Sequence, residues 1–201
     1  RAIFGADRPE SGEILVDGRP VKIDSPDDAI ALGMGFVPED RKEQGLFLQM
    51  SLVRNTAIAH LDRLSRAGFV DFAATEAEAK HFVEELDIRT PGIHQLVRNL
   101  SGGNQQKVVI AKWLATDPKI LLLDEPTRGI DVGAKAEIYR LIQDLADRGM
   151  GIIAVSSELP EILAISDRIL VLSESKLIAD IQWSEASEEV IMKAALAEKE
   201  S

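Results

Sequence analysis

Leu100-Ser101-Gly102-Gly103-Asn104-Gln105-Gln106-Lys107 is followed at close range by Ile120-Leu121-Leu122-Leu123-Asp124-Glu125-Pro126, and these two stretches decide the fold. The first is a Ser-Gly-Gly turn that opens a helix. Ser101 suits the N-cap and brings a hydroxyl and orphan backbone N–H groups to a helix N-terminus, where the dipole favours an anion. Gly102 and Gly103 allow a ligand to approach the backbone closely. The second stretch is a short apolar strand ending in two carboxylates, at the carboxyl edge of a parallel sheet, where ligands of such sheets bind. Asp124 there suits orienting Mg²⁺, and Glu125 suits polarising a water for attack on a γ-phosphate. Read singly, the two stretches also fit a capped surface helix and a strand stopping at solvent. Their succession, with Gly129-Ile130-Asp131 behind them, points to nucleotide chemistry.

Outward from these stretches, the pattern predicts helix over 104–115, strand over 120–123, helix over 134–147, strand over 152–155, helix over 159–164 and strand over 168–172. Strands alternating with helices imply a parallel sheet covered on both faces. On the amino side, Gly12 to Val21 predicts an antiparallel hairpin turning at Asp17-Gly18. Ser25-Pro26 starts a short helix with Ala29, Ile30 and Leu32 on one face, ended by Gly33, and a buried strand follows at Gly35 to Pro38. Residues 46–98 read as a helical subdomain, with caps at Ser51 and Thr75, breaks near Gly68 and Pro91-Gly92, and Phe82, Val83 and Leu86 on one face. The expected organisation is one α/β domain over 1–201. It comprises a hairpin-bearing part (1–45), the helical subdomain (46–98), the α/β core (99–182) and a closing acidic amphipathic helix (183–201).

With 201 residues and 45% apolar composition, the chain can bury one substantial core. Its 34 acidic residues against 23 basic give a net charge of −11. They leave no basic stripe to track a phosphate backbone, which argues against direct nucleic-acid binding. The absence of cysteine excludes disulfides and thiolate metal sites. No apolar run approaches the roughly 20 residues of a membrane-spanning helix, so a membrane role would come through a partner. His60, His81 and His94 lack metal-site spacing and read as satisfied surface residues, and Trp113 reads as core.

On these residues the chain resembles the ATP-binding cassette (ABC) ATPases along nearly its whole length. Leu100 to Gln105 resembles the family's signature motif, Leu121 to Asp124 with Glu125 its Walker B strand and catalytic glutamate, and Arg128 to Asp131 its D-loop. Val37-Pro38-Glu39 is similar to the Q-loop region, with glutamate where the family has glutamine. Val155 to Leu159 is similar to the switch region, with Ser157 where the family has histidine. Val37 to Lys42 and Leu100 to Lys107 resemble the second cassette of tandem ATPases that power bacterial monosaccharide importers of the ribose, galactose and xylose type.

The resemblance implies a P-loop NTPase-like fold and ATP with Mg²⁺ as cofactors. It places Ser101, Gly102, Gly103, Asn104, Gln105, Glu39 and Asp131 at ATP, Asp124 and Glu39 at the metal, and Glu125 and Ser157 at the catalytic positions. Its implied partners are a second ABC cassette, a membrane permease docking near Glu39 to Gln49 and, indirectly, a periplasmic sugar-binding protein. The implied location is cytoplasmic, peripheral on the inner face of the plasma membrane. The sequence contains no Gly-x-x-x-x-Gly-Lys-Ser/Thr phosphate loop. It reads as a chain cut after that motif, lacking the first strand, with exposed apolar sheet edges, weak ATP binding and no significant turnover on its own. Two alternatives stand beside the importer ATPase: a non-hydrolysing cassette that lends only its signature turn, and a soluble ABC protein acting on ribosome or DNA.

Overall fold

The computed structural model describes residues 1–196, in two compact units, Arg1–Ile153 and a second beginning at Ala154. The first opens with strands β1 (Ile14–Val16) and β2 (Arg19–Val21), paired antiparallel with Ile14 opposite Val21. Asp17 and Gly18 turn the hairpin with left-handed φ of 51° and 74°, the conformation this residue pair tolerates best. Helix α1 (Pro26–Ala31) starts as its sequence predicts, with Ser25 Oγ accepting from the Asp28 N–H at 3.4 Å. Strand β3 (Met34–Val37) is buried throughout.

A single π-helical turn, Arg41–Gly45, follows β3, its N–H groups at Lys42 and Glu43 capped by the Asp40 carboxylate at 2.9 and 3.1 Å. The helical region then holds α2 (Leu52–Ala57), a small hairpin of β4 (Ser65–Arg66) and β5 (Phe69–Val70), and α3 (Phe72–Glu85). The hairpin was not legible as strand in a charged segment. Thr75 does not cap α3: it lies inside the helix, buried, its hydroxyl donating to Phe72 O at 2.8 Å. Asp71 is the cap, accepting from the Ala74 N–H at 3.0 Å. Ser51 does stand at the N-cap of α2, without a side-chain capping bond.

Helix α4 (Gly102–Leu114), strand β6 (Ile120–Asp124), helix α5 (Val132–Asp147) and strand β7 (Gly151–Val155) complete the α/β core. The sheet order is β3-β6-β7, with β3 and β6 parallel and Val37 opposite Leu123. Along most of its length α4 is buried on nearly all sides, packed on β3, α2, α5 and the π-helical turn, with Gln105, Gln106, Lys107 and Lys112 buried alongside its apolar residues. Trp113 joins this core, edge-on to Phe4 at 5.3 Å, and Phe4 in turn packs on Phe36. Edge strand β7 exposes Ile153 and Val155.

The second unit contains α6 (Leu159–Ile165), β8 (Arg168–Ser173), β9 (Lys176–Gln182) and α7 (Glu188–Leu196). The strand expected at 168–172 as a further parallel member instead forms an antiparallel hairpin with β9, from Arg168 opposite Gln182 to Ser173 opposite Lys176. Glu174 and Ser175, both at left-handed φ, make its turn. Ile169, Val171, Ile181 and Ile191 form the unit's core. Of the closing helix expected over 183–201, the stretch 188–196 is helical, Trp183–Glu185 is a 3₁₀ turn, and 197–201 lie outside the described residues. Among the described residues no helix is long and apolar enough to cross a membrane.

Candidate functional site

The fold brings the start of α4 and the turn between β6 and α5 against each other. Ser101 is the exposed N-cap of α4; its Oγ accepts from the Asn104 side chain at 2.8 Å and from the Asn104 N–H at 3.5 Å. The Asn104 Oδ1 in turn accepts from the Arg89 N–H at 2.7 Å, so the outer polar residues of the turn are held from outside the helix. A Cβ on Gly102 would lie 2.9 Å from Arg41 Nη2 and 3.2 Å from Gly129 O, and one on Gly103 would lie 2.7 Å from Ala134 Cβ. On the side a Cβ would occupy, both glycines therefore pack closely against the chain itself. Gln105 departs from expectation: its side chain is buried and donates to Val97 O at 3.2 Å, turned away from the face that displays Ser101.

Strand β6 delivers Asp124, half-buried, and the chain then turns sharply at Glu125, whose φ is 46°. That left-handed value in a residue with a Cβ is a strained conformation which the surroundings must hold. The turn is closed by Arg128 N–H to Glu125 O at 3.0 Å and Ile130 N–H to Thr127 O at 3.2 Å. Asp131 then caps α5, accepting from the Ala134 N–H at 3.0 Å, so its carboxylate serves the helix start.

Glu39 follows β3, the strand beside β6, but its carboxylate pairs with the Arg128 guanidinium. Glu39 and Asp124 thus lie at the ends of neighbouring parallel strands, with Glu39 turned to a surface partner. Among the described residues no group of three or more His, Asp or Glu side chains is arranged to hold a metal ion. Ser157 lies in the second unit, exposed, in the segment leading to α6. Its neighbour Ser156 donates to the buried Glu161 at 2.5 Å and accepts from the Glu158 N–H at 3.0 Å.

Three buried cations, unforeseen as such in the sequence, support this arrangement. Lys107 reaches Asp87 O at 2.9 Å and Glu137 at 3.0 Å, and its hydrogen bond is the main cause that holds the Glu137 carboxyl below its usual range. Lys112 donates to Gly45 O at 2.7 Å and lies over the Trp113 ring; burial pushes its ammonium down to about 8. Arg41 donates from Nη1 to Arg128 O at 2.5 Å and from Nη2 to Gly129 O at 3.0 Å. The only available signal for these residues was a lysine or arginine next to apolar neighbours, which usually marks a stem lying along the surface. Of the histidines, His60 is buried rather than superficial, paired with Glu78 at 2.8 Å, while His81 and His94 are exposed beside Glu85 and Glu76.

A parallel β3-β6 pair, a glycine-rich helix start and a strand-end carboxylate pair define an α/β, P-loop NTPase-like ATPase cassette with antiparallel hairpins and a helical region. The family model for ABC transporter matches residues 1–128, and the chain belongs to that family. It is 48% identical over 195 residues to the ribose import ATP-binding protein RbsA 1 of Streptomyces coelicolor, covering 97% of this chain and 39% of that protein. It is 52% identical over 192 residues to the xylose import ATP-binding protein XylG of Thermoanaerobacter pseudethanolicus, covering 95% and 38%. The chain thus spans under two fifths of the length of these curated relatives. Among solved structures, an ATP-binding cassette of an ABC transporter superposes with a TM-score of 0.80 at 19% identity, over 96% of this chain and 80% of that one. A nucleotide-free ATP-binding cassette gives 0.76 at 19% identity, over 98% and 77%. At that identity the likeness concerns the fold alone.

Proposed function

We propose that this chain is the larger part of an ATP-binding cassette that drives a carbohydrate importer. The observation that carries the reading is the display of Ser101 at the start of a thirteen-residue helix, immobilised by Asn104 and packed on the turn that follows Asp124-Glu125. Orphan N–H groups and a hydroxyl at a helix N-terminus fit a phosphate. Displayed on an exposed helix start, the face suits ATP held by a second cassette. Ser101 and Asn104 orient that γ-phosphate, and the half-buried Glu125 acts on water at this chain's own strand end. Bound Mg²⁺ would neutralise phosphate charge. Asp124, and Glu39 once released from its exposed pair with Arg128, would hold the ion.

Closing of two cassettes on ATP, and reopening after hydrolysis, would then move a membrane permease. A groove of about 550 Å³ lined by Gln49, Met50, Arg54, Phe72 and Leu96 supports docking beside the segment from Glu39 to Gln49. The names of the relatives support ribose, galactose or xylose as the class of cargo; in this reading a periplasmic binding protein would deliver it and the cassette would sit on the inner face of the plasma membrane. Ser157, which offers no protonatable ring, favours a second reading in which this site hydrolyses weakly and the signature turn is the main contribution.

The test is the complete polypeptide carrying E125Q, which slows hydrolysis, followed by light scattering with and without Mg-ATP. Association on ATP is expected, and S101E, which sets a negative charge against the phosphate, should abolish it while lowering stability by no more than the lost cap, about 1 kcal/mol. A mass indifferent to ATP would refute the proposal.

A further inference from the structure

Arg41 is 8% exposed, yet its guanidinium faces backbone carbonyls rather than a carboxylate. A buried cation with no carboxylate hydrogen-bonded to it is costly, and burial pushes the Arg41 guanidinium below its ordinary pKa, against the smaller opposing pull of the Asp40 charge. Its Nε has no hydrogen-bond partner, nor has the hydroxyl of the fully buried Thr127 in the turn that Arg41 grips. The same turn holds Glu125 at φ 46°. A buried hydroxyl with no partner among the described residues and a left-handed glutamate within three residues mark a segment kept in place by something outside itself. Arg41 is placed to do so: its fork closes on Arg128 O and Gly129 O, while its Nη2 sits against Gly102 at the start of α4.

At its own end Arg41 begins the π-helical turn. Lys112 fixes the end of that turn through Gly45 O, and Asn55 fixes the next residues through Phe47 N–H and O.

Building on the function proposed above, we propose that Arg41 is a positioning residue that couples the Glu39–Met50 segment to the Glu125–Asp131 turn and the signature turn. A displacement of that segment is carried by a rigid, two-pronged contact to the Arg128 and Gly129 carbonyls, in the turn whose Arg128 N–H closes on Glu125 O. Lysine cannot replace it, because one ammonium on a flexible stem cannot hold two carbonyls in a fixed fork.

The test is R41K in the complete polypeptide. The amides of Arg128 and Ile130, hydrogen-bonded in the turn, should exchange with deuterium about tenfold faster, with amides of α5 and β6 unchanged. The kcat for Mg-ATP should fall about tenfold with KM within about twofold, the pattern of a lost transition-state arrangement rather than lost binding. Exchange at Arg128 and Ile130 equal to wild type overturns the coupling, as does a rise spread evenly over the chain, which a merely structural role would give. If R41K does not fold, G102A serves, since its Cβ would press on Nη2 and on Gly129 O, the two ends of one prong of the contact; the same local exchange is expected, and its absence refutes the proposal. If the wild-type polypeptide neither associates on ATP nor hydrolyses it, the proposed function fails, while the exchange measurement still decides the role of Arg41.

Discussion

The two rims of the candidate site are built differently. The signature rim, from Ser101 to Asn104, rests on buried supports: Gly103 against Ala134, Lys107 on Asp87 O and Glu137, and Lys112 on Gly45 O. The strand-end rim mixes its supports: the buried Arg41 fork on Arg128 O and Gly129 O, the surface pair of Glu39 with Arg128, and Glu125 at a left-handed φ. A rim held by buried contacts throughout keeps one geometry. A rim with a single buried clamp, an exposed pair and a strained residue can be re-set about that clamp, which suits the side whose groups must act on water.

The largest effect should come from the support beneath the signature helix. The Lys112 ammonium ordinarily titrates at 10.5 and is pushed down to about 8 in the folded chain by burial. Between those values the unfolded chain binds a proton that the folded chain does not, so stability rises with pH across the window. The gain is on the order of 3 kcal/mol for a shift of this size. Urea unfolding at pH 7.5 and 10.5 should show wild type gaining on K112M by that order, and equal pH slopes would remove Lys112 from the list of supports. Next comes G103A, whose Cβ meets Ala134 Cβ, an atom that cannot rotate away. Overpacking of this kind costs about 2 kcal/mol. A cycle with A134G, read by chemical denaturation, should recover a large part of it as a coupling term. Additivity would mean that the two helices are not in the contact described.

The difference between the rims also governed what could be read from sequence. The start of α4, strand β6 and the β1-β2 hairpin were legible because each rests on local chemistry: a cap residue, an apolar run, an Asp-Gly turn. The β8-β9 hairpin was not, since Glu174-Ser175 carries neither glycine nor proline to announce a turn. Asp71 and Thr75 are both cap-forming residue types, and nothing local says which one the packing of α3 will put at its start. The inward turn of Gln105 was hidden because α4 is buried on nearly every side, so its period does not single out one face. Arg41 was hidden for a stronger reason. A charged residue beside Asp40, Lys42 and Glu43 reads as solvated, and only the tertiary arrival of Arg128 and Gly129 buries it.

The smallest expected effect is E39Q. Its partner Arg128 is largely exposed and Glu39 is about half exposed, so solvent screens the attraction and two mobile side chains give up freedom to meet. Stability should change by no more than about 0.5 kcal/mol, and less in high salt. The value of the variant lies in its contrast with R41K, two residues further on. Both residues reach the same turn, Glu39 through the Arg128 side chain in solvent and Arg41 through the Arg128 and Gly129 carbonyls in the interior. If the strand-end rim is adjustable because its outer pair is weak, E39Q should leave deuterium exchange at Arg128 and Ile130 unchanged while R41K accelerates it. Equal acceleration by both would mean that the surface pair also holds the turn, and the distinction between the two rims would have to be redrawn.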